Sequence, residues 1–183
     1  LGDLYPDIAS WDKDRENIAA RIETLTECKG KLGDSADKLA SCLNDISDTY
    51  KDLLHLYVYS FLARDTDFSN AQFLERASVA QMLVTQMIEA TSFVSPELIA
   101  IGEEKLSRFQ KQTDKLADHD FFIRKTLHMA PYTLSDAEEK ILAATFDTMQ
   151  TPSSVYDVLT NAEMPMPTVT LSDGNEVVLT PAG

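Results

Sequence analysis

The sequence predicts a mainly α fold of antiparallel helical hairpins or a bundle, finished by a small C-terminal β-hairpin. Three observations lead there. Apolar residues recur at steps of three and four through most of the chain, the period of helices that each bury one face. From Thr168 the pattern changes to β-branched residues alternating around a glycine turn, the period of strands. The chain has 183 residues, of which 44% are apolar, and a domain of that size buries about 70% of its unfolded surface.

The first helix is marked by Trp11, Ile18, Ile22, Leu25 and Leu32, with Ser10 as its cap and Gly30 and Gly33 ending it. A second begins near Ser35 and carries Ala36, Leu39, Leu43, Ile46, Tyr50, Leu53, Tyr57 and Phe61, spaced like a coiled-coil seam. So long a stripe needs a partner, and the first helix, one short turn away, supplies it as an antiparallel hairpin. A polar loop, 64–70, leads to a third helix with Phe73, Ala77, Ala80, Val84, Met87 and Thr91, whose small residues permit close approach. Ser95-Pro96-Glu97 opens a fourth through Leu98, Ile101, Leu106 and Phe109, with serine as cap, proline in the first turn and an acid near the positive helix end. A fifth covers Ala117 to His128 and stops at Pro131. Ser135-x-x-Glu138 is a capping box for a sixth, with Ile141, Leu142, Thr145 and Phe146 inward. After Pro152, Ser153 or Ser154 starts a short seventh through Val155, Tyr156 and Leu159. Thr168–Leu171 and Glu176–Leu179 form the hairpin. An isolated two-stranded hairpin is marginal in water, so this one should lean on helices or be completed by further strands. The expected organisation is a helical lobe over 1–163 and, over 164–183, the hairpin with a junction toward another lobe.

The net charge of −14 disfavours nucleic acid and anionic membrane as partners, since both demand clustered cations. The longest apolar-rich run, Leu53 to Ala63, is interrupted by His55 and Ser60 and reads as a buried helix, too short to span a bilayer. The acidic opening lacks the apolar segment of a signal peptide. Cys28 and Cys42 stand equally far from Ser35, so a disulfide across the hairpin is open. Compartment rules favour two half-buried free thiols and, with them, the cytoplasm.

Candidate chemistry is sparse. His55 reads as a core or boundary histidine, because its helix is apolar. His119 stands between Asp118 and Asp120, which could raise its pKa or help hold a cation; the plainer reading is a solvated helix-end cluster. His128 lies where a cation complements a helix C-terminus. None belongs to His-Glu-x-x-His, which sets two zinc ligands on one helix face around a base. Asp65-Thr-Asp67 lacks the glycine and terminal glutamate of a calcium loop and reads as capping acids. Glu103-Glu104 and Glu138-Glu139 read as solvated faces, since helix neighbours diverge. Met82, Met87, Met129 and Met149 read as core filling, and Met164 and Met166, alternating with prolines, as contacts at the junction. The sequence assigns no catalytic, cofactor-binding or metal-ligating residue.

The order of segments resembles oligoendopeptidase F. The opening Leu1-Gly-Asp-Leu-Tyr5 and Ser10-Trp-Asp-Lys-Asp14, then Lys29-Gly-Lys-Leu32 and the Ala36–Leu39–Leu43 helix, look like that family's start. Tyr57 to Phe61 leading to Asp65-Thr-Asp67, and Phe93-x-x-Pro96-Glu97-Leu98, are similar to its middle. Arg124-Lys-Thr-Leu-His128 followed by Thr133-Leu-Ser-Asp-Ala-Glu-Glu139-Lys-Ile-Leu-Ala143 is the strongest match; Tyr156 to Met164 and the Asp173-Gly174 turn complete it. The resemblance implies a cytosolic zinc metallopeptidase that cuts short peptides in a deep channel, with zinc held by His-Glu-x-x-His and a further glutamate in a later, C-terminal lobe. No position here matches those ligands. The expectation is therefore an N-terminal, non-catalytic lobe that walls the channel, partnered by the C-terminal catalytic lobe and meeting short peptides in the full enzyme. Its rivals are a stand-alone helical interaction module that binds a partner helix, and an enzyme whose working residues are dispersed along the chain.

Overall fold

A computed structural model describes residues 2–132, 136–160 and 166–179. The chain forms α1 (Ile8–Leu25), α2 (Ala36–Thr66), α3 (Ala71–Thr91), α4 (Val94–Ile101), α5 (Glu103–Gln112), α6 (Asp120–Met129), α7 (Asp136–Val158), β1 (Thr168–Thr170) and β2 (Glu176–Val178). The fold is thus mainly α with a small antiparallel sheet, as the periodicities predict. It divides into two compact units, Leu1–Thr133 and Leu134–Gly183.

In the first unit α2 is the spine. Ser35 caps it, accepting from the Lys38 amide at 3.1 Å, and Asp37 lies in its positive first turn. α1 runs back along it as the expected antiparallel hairpin. Trp11 Nε1 donates to Ser60 Oγ at 3.0 Å, Arg21 pairs with Asp52, and Cys28 meets Cys42, so contacts on one helix ascend while those on the other descend. α3 packs on both, its Ala77 and Ala80 buried as predicted. This half forms one hydrophobic cluster around Trp11, Ile18, Ile22, Leu53, Leu56 and Leu83. A second cluster takes Leu39, Ala40 and Leu43 of α2 with Leu98, Leu106, Leu116 and Ile123 from the segments of α4 to α6. Ile46 packs against both.

Several boundaries differ from the sequence reading. α1 begins earlier, because Asp7 rather than Ser10 is the cap: its Oδ1 accepts the Ser10 amide at 2.8 Å. α1 ends at Leu25 in a 3-10 turn, and Leu32, though fully buried, lies in the connector. The stripe on α2 follows prediction to Ile46 and again at Leu53, but between and beyond them it turns: Thr49, Leu56, Ser60 and Ala63 are buried, while Tyr50 is 54% exposed. A strict seven-residue seam drifts about 20° per heptad on a straight helix, and the polar Thr49 and Ser60 hid the true line. The single predicted helix from Ser95 is two, parted at Gly102 with φ 81° and ψ 157°, and Phe93, not Ser95, stands at the start of α4. α6 begins at Asp120, after a 3-10 turn over Asp114–His119.

In the second unit α7 runs unbroken through Pro152, where a break and a new helix were expected. Ile141, Leu142 and Thr145, predicted inward, are exposed, as are Val155, Tyr156 and Leu159. The cap Ser135, Met164 and the side chains of Phe146 and Glu139 lie outside what is described. β1 and β2 pair antiparallel in the register Thr168↔Val178, Val169↔Val177, Thr170↔Glu176. Gly174, with φ 85°, and Asp173, whose Oδ1 accepts the Asn175 amide at 3.0 Å, close the turn.

Candidate functional site

The three histidines occupy separate places. His55 is exposed on α2, its ring centroid 5.0 Å from that of Tyr5, rather than in the core or at its boundary. The helix is apolar on more than one side, and His55 falls on an exposed face where Tyr5 lies beside it. His119 is buried, not solvated. It sits at the N-terminus of α6, with Nε2–H donating to Asn44 Oδ1 at 2.6 Å. Burial pushes its pKa below the usual histidine value, and the Asp118 and Asp48 carboxylates pull it partly back. His128 lies exposed in the last turn of α6, where the helix dipole favours a cation, as predicted. His119 and His128 stand at opposite ends of α6, about 14 Å apart at 1.5 Å per residue.

Cys28 and Cys42 form a buried disulfide with Cα atoms 6.0 Å apart, which overturns the expectation of free thiols. The signal was the equal spacing about Ser35; the compartment argument outweighed it. Neither sulfur is available as nucleophile or ligand. Among the acids, Asp67 accepts from the Ser69 amide and hydroxyl, which holds its pKa below the ordinary carboxylate range. That is a turn-forming role where the sequence reading expected a helix-capping acid; the side chain that caps α3 is that of Asn70. Glu103 and Glu104 are exposed in the first turn of α5. Of the methionines expected in the core only Met87 is there; Met82, Met129 and Met149 are exposed.

Two surface concavities flank α1. A polar cleft of about 290 Å³ between α1 and α2 is lined by Arg21, Glu27, Lys38, Asp45 and Asp48 among others. Its charges are of both signs, and its lining holds no histidine to serve as a base. A shallower groove of about 520 Å³ between α1 and α3 has a floor of Ala19, Ile22, Val79, Met82 and Leu83 and a rim that includes Arg15, Glu23 and Glu89. Such linings suit contact with another chain better than bond-making chemistry.

The family pattern described as Oligopeptidase F matches residues 97–165. The chain is 32% identical over 180 residues to Oligopeptidase PepF of Bacillus subtilis (strain 168), a match covering 98% of this chain and 27% of that protein. It is 26% identical over 181 residues to the plasmid oligoendopeptidase F of Lactococcus lactis subsp. cremoris, covering 98% and 30%. Its fold matches the crystal structure of oligoendopeptidase-F from Enterococcus faecium with a TM-score of 0.84 at 22% identity, over 96% of this chain and 35% of that one. The chain is an oligoendopeptidase F-like N-terminal region.

This oligoendopeptidase F-like region spans about a third or less of the relatives it matches. The matched pattern runs from α4 through α7, so it includes the segments in which the sequence resemblance was strongest. A zinc site needs at least three protein donors converging on one point. Among the described residues no three His, Cys, Asp or Glu side chains converge in that way. The described donors therefore do not make up a zinc site.

Proposed function

We propose that this region is the non-catalytic N-terminal lobe of an oligoendopeptidase F-like zinc metallopeptidase, and that it forms part of a channel wall restricting cleavage to short peptides. One observation carries the reading. The likeness to Oligopeptidase PepF runs through 98% of this chain yet accounts for 27% of that relative. In this reading the zinc and its ligands belong to a C-terminal catalytic lobe of the same protein, reached through the 164–183 junction. Steric selection follows from packing. Interiors are close-packed and resist deformation, so a lobe with two filled hydrophobic clusters excludes folded proteins while a flexible peptide passes.

The same reading places the protein in the cytoplasm. Among the described residues no helix is long and apolar enough to cross a membrane. The buried disulfide weighs the other way, because reducing compartments keep thiols reduced. Alkylation of acid-quenched cells reads the state of the pair directly.

The reading frame that encodes this chain should continue into His-Glu-x-x-His, and its full product should bind zinc and cut short peptides. The 183 residues alone should do neither; robust zinc-dependent cleavage by them would sink the proposal. A frame ending at Gly183 would favour a stand-alone interaction module. The wall is tested separately, with a photoreactive short peptide bound to the full product. Cross-links inside residues 1–183 support it, and labelling confined to the C-terminal lobe removes the wall while leaving the lobe.

A further inference from the structure

The described side chains of the second unit form a surface without a core. Of its described side chains none is buried; nearly all are exposed and a few, such as Val169, are partly covered. Along α7, Leu142, Met149 and Tyr156 recur every seven residues, with exposures of 49%, 69% and 65%. Thr145, Pro152 and Leu159 follow each of them by three. Residues so spaced share one helix face, here about 21 Å long between Leu142 and Tyr156 at 1.5 Å per residue. The hairpin adds Val178, 52% exposed, on a strand of three residues. A two-stranded hairpin is marginal by itself in water. A helix this long draws most of its stability from tertiary packing of an apolar face, and Pro152 deprives α7 of one backbone hydrogen bond. By contrast α2, whose outer face also exposes Leu54 and Leu62, is anchored by both clusters of the first unit and needs nothing further to hold it.

We infer that the Leu142–Met149–Tyr156 face of α7, with β2 of the hairpin, is the surface on which the C-terminal remainder of the same protein docks. The inference rests on the proposed function and deepens it by naming the interface. The occupant follows from lengths. The match to the Bacillus relative takes in 98% of this chain, so it cannot omit a 50-residue unit, and that relative carries about three-quarters of its length beyond the match. A helix and hairpin equivalent to these therefore share a polypeptide with a large body of further chain. Covalent linkage gives such a body an effective concentration on the order of millimolar, more than a second copy or an outside partner attains in a cell. The contacts chosen are large, mostly unbranched or aromatic side chains spaced for helix packing, the composition of interface cores rather than of solvated surfaces.

The test compares hydrogen exchange in the 183-residue chain with that in the product of the full reading frame. Amides of α7 and β2 should exchange at least about 100-fold more slowly in the full product, with those of α2 unchanged. Met149→Glu and Tyr156→Glu in the full product should return α7 to fast exchange while the first unit keeps its protection, which shows that the protein still folds. Equal exchange of α7 in the two proteins overturns the inference, and so does a gain of protection on α2 with none on α7. If α7 stays unprotected while the full product binds zinc and cuts peptides, the interface fails and the peptidase reading stands. A full product that does neither removes the peptidase reading itself.

Discussion

Thr49 and Ser60 steer α2 although neither is apolar. Each hydroxyl donates to the carbonyl four residues back, Thr49 to Asp45 at 2.6 Å and Ser60 to Leu56 at 2.8 Å, so each enters the interior with its donor satisfied. Ser60 Oγ also accepts from Trp11 Nε1, the contact that fixes the first turns of α1 against the far half of α2. A reading by hydrophobicity saw Tyr50 and Tyr57 in their place, since a serine that is buried because it back-bonds looks in sequence like one that is solvated. The histidines show the same limit. Asn44 and His119 are 75 positions apart, and nothing local to either announces that one will accept from the other. His119 makes stability depend on pH with a definite sign. Its folded pKa lies below the ordinary value of about 6.5. As pH falls, the unfolded chain takes the proton first, so stability is full above that value and is lost as pH drops through the folded pKa. His119→Gln, which keeps a donor for Asn44 without titrating, should flatten urea-unfolding stability between neutral and mildly acid pH; an unchanged slope means another group controls it. The disulfide gives a second prediction. A closed loop of about 15 residues restrains the unfolded chain by about 3 kcal/mol, so a reductant should lower the unfolding free energy by that order. Before reduction neither Cys28 nor Cys42 should react with an alkylating agent in the denatured protein; labelling at that stage would mean that the pair is not bonded.

Most helices were legible because their defining signals are local. Ser35 at the start of α2, Ala77 and Ala80 on α3, and the Asp173-Gly174 turn each act within a few residues of themselves, and each is where its chemistry predicts. The breaks were harder, because glycine and proline carry signals that the rest of the chain can override. Pro152 was read as a stop and is carried inside α7. Gly102 was read through, yet it parts α4 from α5, and its amide still accepts a place in the helix pattern by donating to the Leu98 carbonyl at 3.2 Å. Its φ of 81° with ψ of 157° lies in a region that is essentially reserved for glycine. A Cβ built there meets nothing within 4 Å, so the cost of a side chain is backbone strain alone. Gly102→Ala should therefore destabilise the protein by about 1–3 kcal/mol, with helix content nearly unchanged in circular dichroism. A neutral result would show that α4 and α5 can rejoin as the single helix that the sequence first predicts.

The family likeness was legible only at the scale of the whole chain. No one side chain announces a peptidase, and among the described residues the donors that would are not gathered; the order of weak motifs along the chain carries the family instead. The mechanical character of the lobe also belongs to that scale. Its first unit contains two hydrophobic clusters, and the proposed wall requires them to behave as one body. α2 is the only long element that contributes to both, with Leu39 and Leu43 in one, Leu53 and Leu56 in the other, and Ile46 touching each. Because helix formation is cooperative and α2 is one 31-residue helix shared by both clusters, loss of one cluster should carry the other with it. The single tryptophan makes this measurable, because Trp11 lies in the cluster of α1 and α3 and reports on it alone. Leu116 is fully buried in the opposite cluster, and truncating a buried leucine costs about 2–5 kcal/mol. With α2 coupling the two, Leu116→Ala should move the Trp11 fluorescence transition in urea by that full amount, together with the transition seen by circular dichroism. If the Trp11 transition stays in place while circular dichroism shows an earlier step, the clusters melt separately. The first unit would then be two bodies hinged near Ile46, and rigidity could no longer support the proposed channel wall.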